Sequence, residues 1–460
     1  MGAIYALLKI TGPLFAASPF GMDMPHSRHT SGGNLVTRLP KYGTLMALLA
    51  PALLASTALP TLAQDADKTI RVMHMHSDPH NRDPRLAMFT TCADRFGYEI
   101  EEIFIPYAQY EVLLPVQLAS QNPPEIYGTW PGGRVQFQAE NGRIVALEDN
   151  WTAIKDDIWP GIQSVATEPD GKVYSVPYSM LPTTFWYNKE VFDTHGLEIP
   201  QTWDQLMAAA ETLKAADVTP FVLGTKLGWE PLFWFDYLVL RTAGPEFRSR
   251  LMAGQESFVD PKVVRAMELW ADLVEREFFN DRYSSLGWRE MSLEVIAGNA
   301  AMELMGPWTT GVFKDADMVA TQDYGIFPFP EIDAGVPAAT EGAVESYALS
   351  GGGENAEAAA EVLTCITDVD VQTQFASDLQ ELAANKHVSM DVYETKESRA
   401  FVQTYFDMLD APFHQNLELA AHPGITEVAK REFPRFLTYP DQYLSVLEKL
   451  EERRNELYSN

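Results

Sequence analysis

The stretch from residue 69 to residue 105 constrains the fold more than any other part of this 460-residue chain. Residues 69–75 form a β-rich run, and residues 100–105 alternate between polar and apolar side chains as a second strand. Between the two, Asp83 and Pro84 supply a helix-start signal. The apolar face of the predicted helix consists of Leu86, Phe89, Ala93 and Phe96. A strand, a helix and a second strand predict an α/β lobe with a parallel sheet.

Strands and helices continue to alternate beyond residue 105. Residues 123–128 predict a third short strand, and Thr202 with Gln205 forms a capping box that begins a helix. Further helical patterns cover residues 261–277, 356–376 and 441–457. The roughly 400 residues that follow residue 63 are too many for one compact core. The sequence therefore predicts an α/β protein with two lobes.

Residues 1–63 are predicted to be a leader that contains a signal peptide. Arg38 and Lys41 precede an apolar run over residues 45–54, and the small residue Ala63 stands directly before Gln64. A positive segment, a short apolar core and a small residue are typical of a cleaved secretory signal. The apolar run is also too short to span a bilayer. We expect a soluble periplasmic protein that begins near Gln64.

Charge and cysteine content limit the classes of partner and scaffold. The net charge of −30 disfavours nucleic acid and anionic membranes as partners. It also argues against a highly anionic ligand, although a local basic pocket could override the global field. Because Cys92 and Cys365 are the only cysteines, the chain is not a disulfide-built scaffold. Whether these two cysteines form one long-range bridge is left open by their spacing.

The most informative segment for function is residues 300–308, which ends in Gly306, Pro307 and Trp308. A small-residue strand is followed by a Gly-Pro turn, so the indole of Trp308 cannot join a regular core face. An exposed indole is a wide apolar plate that suits the C–H face of a sugar ring. A buried tryptophan that closes a helix–strand junction is the alternative interpretation.

Histidines cluster around the end of the first strand. His74 and His76 share a face of the strand, and His80 follows four residues later. The loop 76–81 lies where parallel sheets bind ligands, beyond the carboxyl end of a strand. A metal site is one interpretation, but no carboxylate or cysteine has ligand spacing beside these histidines. Binding of ligand hydroxyls by His76 and Asp78 is the preferred interpretation, and we expect neither a metal nor a cofactor.

The order and spacing of several short motifs resemble the extracellular sugar-binding proteins of ABC importers, the maltose-binding-protein-like group. The resemblance covers nearly all of the chain after the leader. The motifs are Pro123-Pro124-Glu125-Ile126, Ala139-Glu140-Asn141-Gly142, Val176-Pro177, Tyr187-Asn188-Lys189-Glu190, Pro200-Gln201-Thr202-Trp203-Asp204-Gln205-Leu206, Gly298-Asn299-Ala300-Ala301-Met302 and Gly306-Pro307-Trp308.

This resemblance implies a periplasmic receptor that captures a mono- or oligosaccharide and delivers it to an ABC transporter permease. It also implies two lobes joined by crossing segments that close around the ligand by hinge bending. We expect the first lobe over residues 68–178 and 340–390, and the second over 182–335 and 395–460. We further expect a monomer that does not bind nucleic acid.

The resemblance also implies which side chains line the sugar site. Trp308 is the main stacking platform, and the further lining residues are Trp130 or Arg134, Tyr178, Trp229 and Glu230. From the residues alone, Gly287 is expected to place Trp288 at an edge of the same cleft, which would favour two successive sugar rings. A core role for Trp288 is the alternative. The candidate partners for sugar hydroxyls are Asp78, Arg134, Glu230, Glu345 and Ser346.

Two other classes of function fit part of the sequence. A glycosidase or lyase would use paired carboxylates in a cleft, and Asp78, Glu230 and Glu345 are acids in suitable segments. The chain has no nucleophile elbow, phosphate loop or zinc signature. A receptor for iron, a polyamine or an amino acid is the other alternative, but the tryptophans favour ring stacking. The loop 76–81 and the segment 342–346 match no sugar-specificity class, so the sugar stays open.

Overall fold

The computed structural model describes residues 68–76, 79–393, 395–408 and 411–458. The predicted leader 1–63, the start near Gln64 and the predicted ligand residue Asp78 lie outside these ranges. Within the ranges, no helix combines the length and the apolar character needed to cross a membrane.

The described strands are β1 (Thr69–His74), β2 (Glu99–Phe104), β3 (Ile126–Thr129), β4 (Ser175–Pro182), β5 (Thr184–Asn188), β6 (Thr219–Val222), β7 (Ala300–Met305), β8 (Tyr324–Phe327), β9 (Thr340–Leu349), β10 (Leu382–Ala383) and β11 (Phe413–Gln415). The described α-helices are α1 (Pro79–Phe96), α2 (Tyr107–Leu118), α3 (Gly133–Glu140), α4 (Glu148–Ile154), α5 (Pro160–Ala166), α6 (Lys189–His195), α7 (Trp203–Ala215), α8 (Leu232–Ala243), α9 (Pro245–Met252), α10 (Pro261–Glu275), α11 (Trp288–Ile296), α12 (Thr310–Asp315), α13 (Ala356–Cys365), α14 (Val369–Leu379), α15 (Lys396–Met408), α16 (Leu417–Ala420), α17 (Pro423–Thr438) and α18 (Tyr443–Tyr458).

The larger sheet has the strand order β10-β4-β9-β3-β1-β2, and β11 pairs with β9 beside this path. Strand β1 pairs in parallel with both β2 and β3, so the predicted parallel opening of the sheet is confirmed. Strand β9 runs antiparallel to β3 and β4. Strand β1 lies between β3 and β2, and its fully buried side chains Ile70 and Val72 belong to one core cluster with Met88 and Phe89 of α1.

The smaller sheet has the order β6-β7-β5-β8. Strand β7 is buried along its whole length, as expected for a strand covered on both faces. Phe185 of β5 stacks on Phe327 of β8 with a ring-centroid distance of 5.1 Å and meets Trp234 of α8 edge-on at 5.5 Å. These aromatic contacts fasten the sheet to the helices that cover it.

Two strands of the larger sheet lead directly to the smaller one. Thr183 alone separates β4 from β5, and the chain returns from β8 to β9. The two connections are bonded to each other, because Thr183 N donates to Glu341 O at 2.9 Å. Strand β11 falls within the range predicted for the second lobe yet pairs with β9 of the larger sheet. The lobe boundaries drawn from the sequence stay a prediction.

Several helix limits differ from the sequence predictions. The capping box is confirmed: Thr202 accepts a hydrogen bond from Gln205 N, and the Gln205 side chain accepts from Thr202 N. Helix α1 begins at Pro79, four residues before the predicted start signal, since proline is favourable in the first helical turn. The helix predicted over 356–376 is broken before α14, where the buried Gln372 amide donates to Ile366 O at 2.9 Å. That side chain satisfies a carbonyl at the end of α13.

A disulfide bond joins Cys92 of α1 to Cys365 of α13. The two residues are 273 positions apart in sequence, and their Cα atoms are 5.8 Å apart. Both helices pack beside the larger sheet, which is how residues so distant in the chain come into bonding range. The bridge was left open by the sequence and is decided by this packing.

Candidate ligand-binding site

A cavity of about 200 Å³ lies between residues beside the larger sheet and residues beside the smaller sheet. Residues beside the larger sheet form one wall, namely Met75, His76, Asn81, Arg85, Tyr107 and Trp130. Residues beside the smaller sheet form the opposite wall, namely Trp229, Phe233, Trp288 and Trp308. The remaining lining comes from β4, β9 and the segment around α16, namely Leu181, Ala343, Glu345, Asn416, Glu418 and Leu419.

Trp308 and Trp229 form an apolar corner of this cavity. Their ring centroids are 5.9 Å apart and the planes meet at 75°. Phe233 of α8 supports the corner with a centroid 6.2 Å from that of Trp308. A side chain at Gly306 would collide with the Trp308 indole, so glycine allows the ring to fold back over the end of β7. The half-buried indole of Trp308 thus presents a flat apolar surface to the cavity.

Trp288 also lines the cavity, on the same side as Trp308. It begins helix α11 directly after Gly287, whose N–H donates to the Glu290 carboxylate at 2.9 Å. The Arg289 guanidinium lies 5.2 Å from the Trp288 ring centroid. A buried cluster connects the two tryptophans: Ser292 Oγ donates to Trp288 O at 3.1 Å and is hydrogen-bonded to Thr309 Oγ1. These bonds tie the backbone of Trp288 to Thr309, the residue that follows Trp308.

Trp130 stands on the opposite wall at the end of β3. The ring of Tyr107 meets it edge-on at 6.3 Å, and the Arg134 guanidinium lies 5.2 Å from its ring centroid. Trp130 is 6% exposed, so it offers less of its surface to a ligand than Trp308 does. Aromatic side chains consequently border the cavity from both sheets.

The buried Arg85 organises the polar end of the cavity. Its Nη2 donates to Glu345 Oε2 at 2.9 Å and to Glu381 Oε2 at 2.8 Å. Its Nε donates to the Tyr178 hydroxyl at 3.0 Å, and that hydroxyl donates to Glu345 Oε2 at 2.6 Å. Burial alone would lower the pKa of Arg85, but Glu381, Tyr178 and Glu345 raise it well above its usual value. Arg85 is therefore a fixed cation that orients the Glu345 carboxylate.

His76 lies beside this cluster as a neutral imidazole. Burial lowers its pKa well below 6.5, and the positive charge of Arg85 adds to the effect. Its Nε2 is 3.8 Å from Glu345 Oε1 and has no hydrogen-bond partner among the described residues. A neutral imidazole nitrogen can exchange a hydrogen bond with a ligand hydroxyl. His74 instead pairs with Glu102 at 2.6 Å, away from the cavity.

Glu418 belongs to an ion cluster of four side chains at the other end. Its Oε1 accepts from Lys430 at 2.7 Å and from Arg134 at 3.1 Å. Both cations also bind Glu111 of α2, with Lys430 Nζ at 2.9 Å from Glu111 Oε2. Burial opposes ionisation of Glu111, but Arg134 and Lys430 lower its pKa to about 2. The cluster joins α2 and α3, beside the larger sheet, to α16 and α17.

Of the residues predicted from the sequence, the structure brings Trp308, Trp229, Trp130, Trp288, His76 and Glu345 together around the cavity. Four others do not line it. Arg134 is held by its two carboxylates, and the Tyr178 hydroxyl is consumed by Arg85 and Glu345. Glu230 and Ser346 are buried behind the wall at 0% and 1% exposure. Asp78 lies outside the described residues.

Sequence reasoning missed Arg85, Tyr107, Asn416 and Glu418 as cavity residues. One signal for Arg85 was present: it precedes Phe89 by four positions and so shares the buried face of α1. A charged residue on an apolar helical face needs a buried partner. No comparable local pattern marks Asn416 or Glu418. Across the part of the chain that the structure covers, no group of three or more His, Cys, Asp or Glu residues has the geometry of a metal site.

Two α/β units joined by crossing strands, with an aromatic cavity between them, define a two-lobe solute receptor. The chain belongs to the bacterial extracellular solute-binding protein family, whose sequence profile matches residues 93–373. The family resemblance and the two-lobe α/β fold expected from the sequence are thereby confirmed.

Relatives support this assignment. An uncharacterized ABC transporter extracellular-binding protein of Pyrococcus horikoshii is 27% identical over 62% of this chain and 63% of its own length. A probable sugar-binding periplasmic protein of Mesorhizobium japonicum is 30% identical over 36% of this chain and 40% of its own length. The chain thus matches less than two thirds of the length of these curated relatives.

A solved structure shows the same fold over a larger share of the chain. The bacterial solute receptor AcbH superposes with a TM-score of 0.78 at 20% identity, and the match covers 85% of this chain and 99% of AcbH. AcbH is described as having an exclusive preference for β-D-galactopyranose. At this identity the similarity establishes the fold, and the ligand must be argued from the cavity.

Proposed function

We propose that this protein is a periplasmic receptor that captures a mono- or oligosaccharide and delivers it to an ABC transporter permease. The observation that carries the proposal is the corner formed by Trp229 and Trp308, which faces a cavity bordered by polar side chains. A pyranose ring has flat C–H faces and a rim of hydroxyls. The indoles suit the faces, and Glu345, His76 and Asn416 suit the rim.

The size of the cavity favours one enclosed sugar ring. Its volume of about 200 Å³ lies below the roughly 300–1,000 Å³ of sites for drug-sized ligands. Trp288 and Trp308 line the same wall of the cavity, so they can border the same ring as well as two successive rings. A longer saccharide would extend beyond the enclosed volume.

The arrangement favours a receptor over a glycosidase. A glycosidase acid needs a raised pKa and a position against the scissile bond. Burial raises the pKa of Glu230 to about 7 and that of Glu303 to about 8, yet neither residue lines the cavity. The carboxylates that do line it, Glu345 and Glu418, are anchored by cations as hydrogen-bond acceptors. Acceptors of this kind can hold a sugar and release it intact.

Lobe closure would report occupancy to the permease. The lobes predicted over 68–178 with 340–390, and over 182–335 with 395–460, are connected through β4 and β9. A ligand that contacts Trp308 on one side and Glu345 on the other gains more contacts when the lobes approach. Export of a monomeric protein through the signal predicted in residues 1–63 would place it in the periplasm, where no cofactor is needed for binding.

A thermal-shift screen of the purified protein against a carbohydrate panel tests the proposal, because a ligand that binds only the native state raises the melting temperature. Amino acids, polyamines and ferric iron in the same plate test the alternative of a non-sugar solute. Hits are then incubated with the protein and analysed by chromatography. We expect saturable binding and full recovery of the sugar. Hydrolysis would identify an enzyme, and a hit confined to non-sugar solutes would overturn the sugar assignment.

A further inference from the structure

Each of the two carboxylates that line the cavity is anchored through one oxygen. Both hydrogen bonds to Glu345, from Arg85 and from the Tyr178 hydroxyl, end on Oε2. Lys430, Arg134 and the Tyr107 hydroxyl all contact Oε1 of Glu418. Among the described residues, no hydrogen bond reaches Glu345 Oε1 or Glu418 Oε2. Two fixed, negatively charged acceptors therefore border the cavity with bonding capacity to spare.

The cations next to these carboxylates are committed to protein partners. Arg85 uses Nε for Tyr178, Nη1 for the Asn81 carbonyl and Nη2 for two carboxylates, so its fork cannot receive a second carboxylate in bidentate fashion. Arg134 and Lys430 bind Glu111 and Glu418 and do not line the cavity. The described lining thus offers an anionic ligand no cation that is not already paired with protein carboxylates.

The imidazole of His76 does not supply a positive charge to the cavity either. His76 lines the cavity as a neutral imidazole because burial and the nearby Arg85 lower its pKa. Its Nε2 is buried without a hydrogen-bond partner, so it can serve an uncharged hydroxyl. The indoles on the facing wall contribute apolar surface. Along the described lining, the two carboxylates Glu345 and Glu418 thus outnumber the one cation Arg85, in agreement with the sign of the net charge of −30.

We infer that the cavity selects uncharged sugars against their anionic counterparts, such as uronates, and that Glu345 and Glu418 impose this selectivity. The inference rests on the proposed function. A hydroxyl can donate to the spare carboxylate oxygens, whereas a ligand carboxylate at the same place meets like charge in a site of low dielectric constant. The selectivity thus arises from repulsion of a ligand carboxylate as much as from hydrogen bonds to a ligand hydroxyl.

Titration calorimetry with matched pairs tests the inference. Glucose is compared with glucuronate, galactose with galacturonate, mannose with mannuronate, and cellobiose with cellobiouronate. We expect at least one uncharged sugar to bind and its anionic partner to bind about 100-fold more weakly or worse. A pair whose two members bind within tenfold of each other overturns the selectivity and leaves the sugar receptor standing. If no member of the panel binds, the comparison is repeated with the sugar found in the thermal-shift screen and its uronate. A screen without any sugar hit overturns the proposed function and the inference together.

A charge-neutral variant assigns the effect to the named carboxylate. Glu418→Gln leaves Arg134 and Lys430 with Glu111 as their remaining carboxylate partner, so the penalty for a uronate should shrink about tenfold or more. The control Glu448→Gln removes the same charge from the exposed face of α18 and should leave the ratio unchanged. If the affinity for the uncharged sugar relative to its uronate is the same in both variants, Glu418 does not contribute to the selectivity. The comparison of sugar pairs on the unaltered protein remains decisive should Glu418→Gln fail to fold.

Discussion

Arg85 Nη2 donates a hydrogen bond to Glu345 Oε2 at 2.9 Å and so joins helix α1 to strand β9 across 260 positions of the sequence. The same nitrogen binds Glu381 at 2.8 Å, and all three side chains are buried. A buried guanidinium between two carboxylates fixes the polar end of the cavity. Arg85 is thus the shared partner of both buried carboxylates.

Removal of this cation should destabilise the protein strongly. Arg85→Met leaves Glu345 and Glu381 buried side by side, and we expect the free energy of unfolding to fall by about 3–5 kcal/mol. Urea unfolding followed by circular dichroism measures the change. The control Arg95→Met removes an exposed ion pair with Asp368 and Asp370 and should cost about 1 kcal/mol or less. Adding Glu381→Gln to Arg85→Met should restore part of the loss, and equal costs for the two arginine variants would contradict the buried network.

Trp308 should carry a large share of the ligand affinity. Trp308→Ala removes the half-buried indole that forms the apolar corner with Trp229, and we expect binding to weaken by about 2 kcal/mol, or roughly 30-fold. Calorimetry with a sugar identified in the thermal-shift screen measures it. Trp159→Ala is the control, because Trp159 packs on Phe406 and does not line the cavity. An unchanged dissociation constant for a folded Trp308→Ala protein would exclude the stacking role.

Glu303 should make stability depend on pH. Burial raises its pKa from the usual 4.5 to about 8, so the folded protein holds a proton that the unfolded chain loses above pH 4.5. Glu303 therefore adds its full contribution to the free energy of unfolding below pH 4.5. That contribution is lost as pH rises toward 8, and the free energy of unfolding changes by about −1.4 kcal/mol per pH unit.

The comparison with Glu303→Gln isolates this contribution from that of Glu230, whose pKa burial raises to about 7. Unfolding free energies of both proteins are measured from pH 5 to pH 9. We expect the difference between variant and unaltered protein to grow with pH and to level off near pH 8. A difference that stays constant over this range would show that Glu303 is ionised in the folded protein.

The ion cluster around Lys430 should hold the two lobes together. Lys430 on α17 binds Glu111 on α2 at 2.9 Å, and Lys430→Met removes that link between the helix layers. We expect a larger radius of gyration in small-angle scattering with saturating sugar, together with weaker binding. Lys449→Met is the matched control, since Lys449 on α18 binds Glu432 of the adjacent α17. If the two variants have the same radius of gyration, the ion cluster around Lys430 does not hold the lobes together.

The sequence by itself determined the elements whose signals are local. The strand–helix–strand opening, the capping box at Thr202 and the Gly306-Pro307-Trp308 turn are each encoded within a few neighbouring residues. Local chemistry sets them because a cap or a tight turn is satisfied by groups close in the chain. Chain length indicated two lobes, and the family motifs added the crossing segments that join them. Trp308, Trp288 and His76 were named from turns and strand ends of this kind, and Trp229 and Trp130 from the family resemblance.

Only the tertiary structure decided which polar groups face the ligand cavity. Tyr178 and Arg134 carry suitable chemistry, yet their donors are consumed by Glu345, Glu111 and Glu418. Arg85 and Glu418 enter the lining through partners hundreds of positions away in sequence. The disulfide between Cys92 and Cys365 was decided in the same way. Burial forces each polar group to find a partner, and which partner it finds depends on packing that no local pattern records.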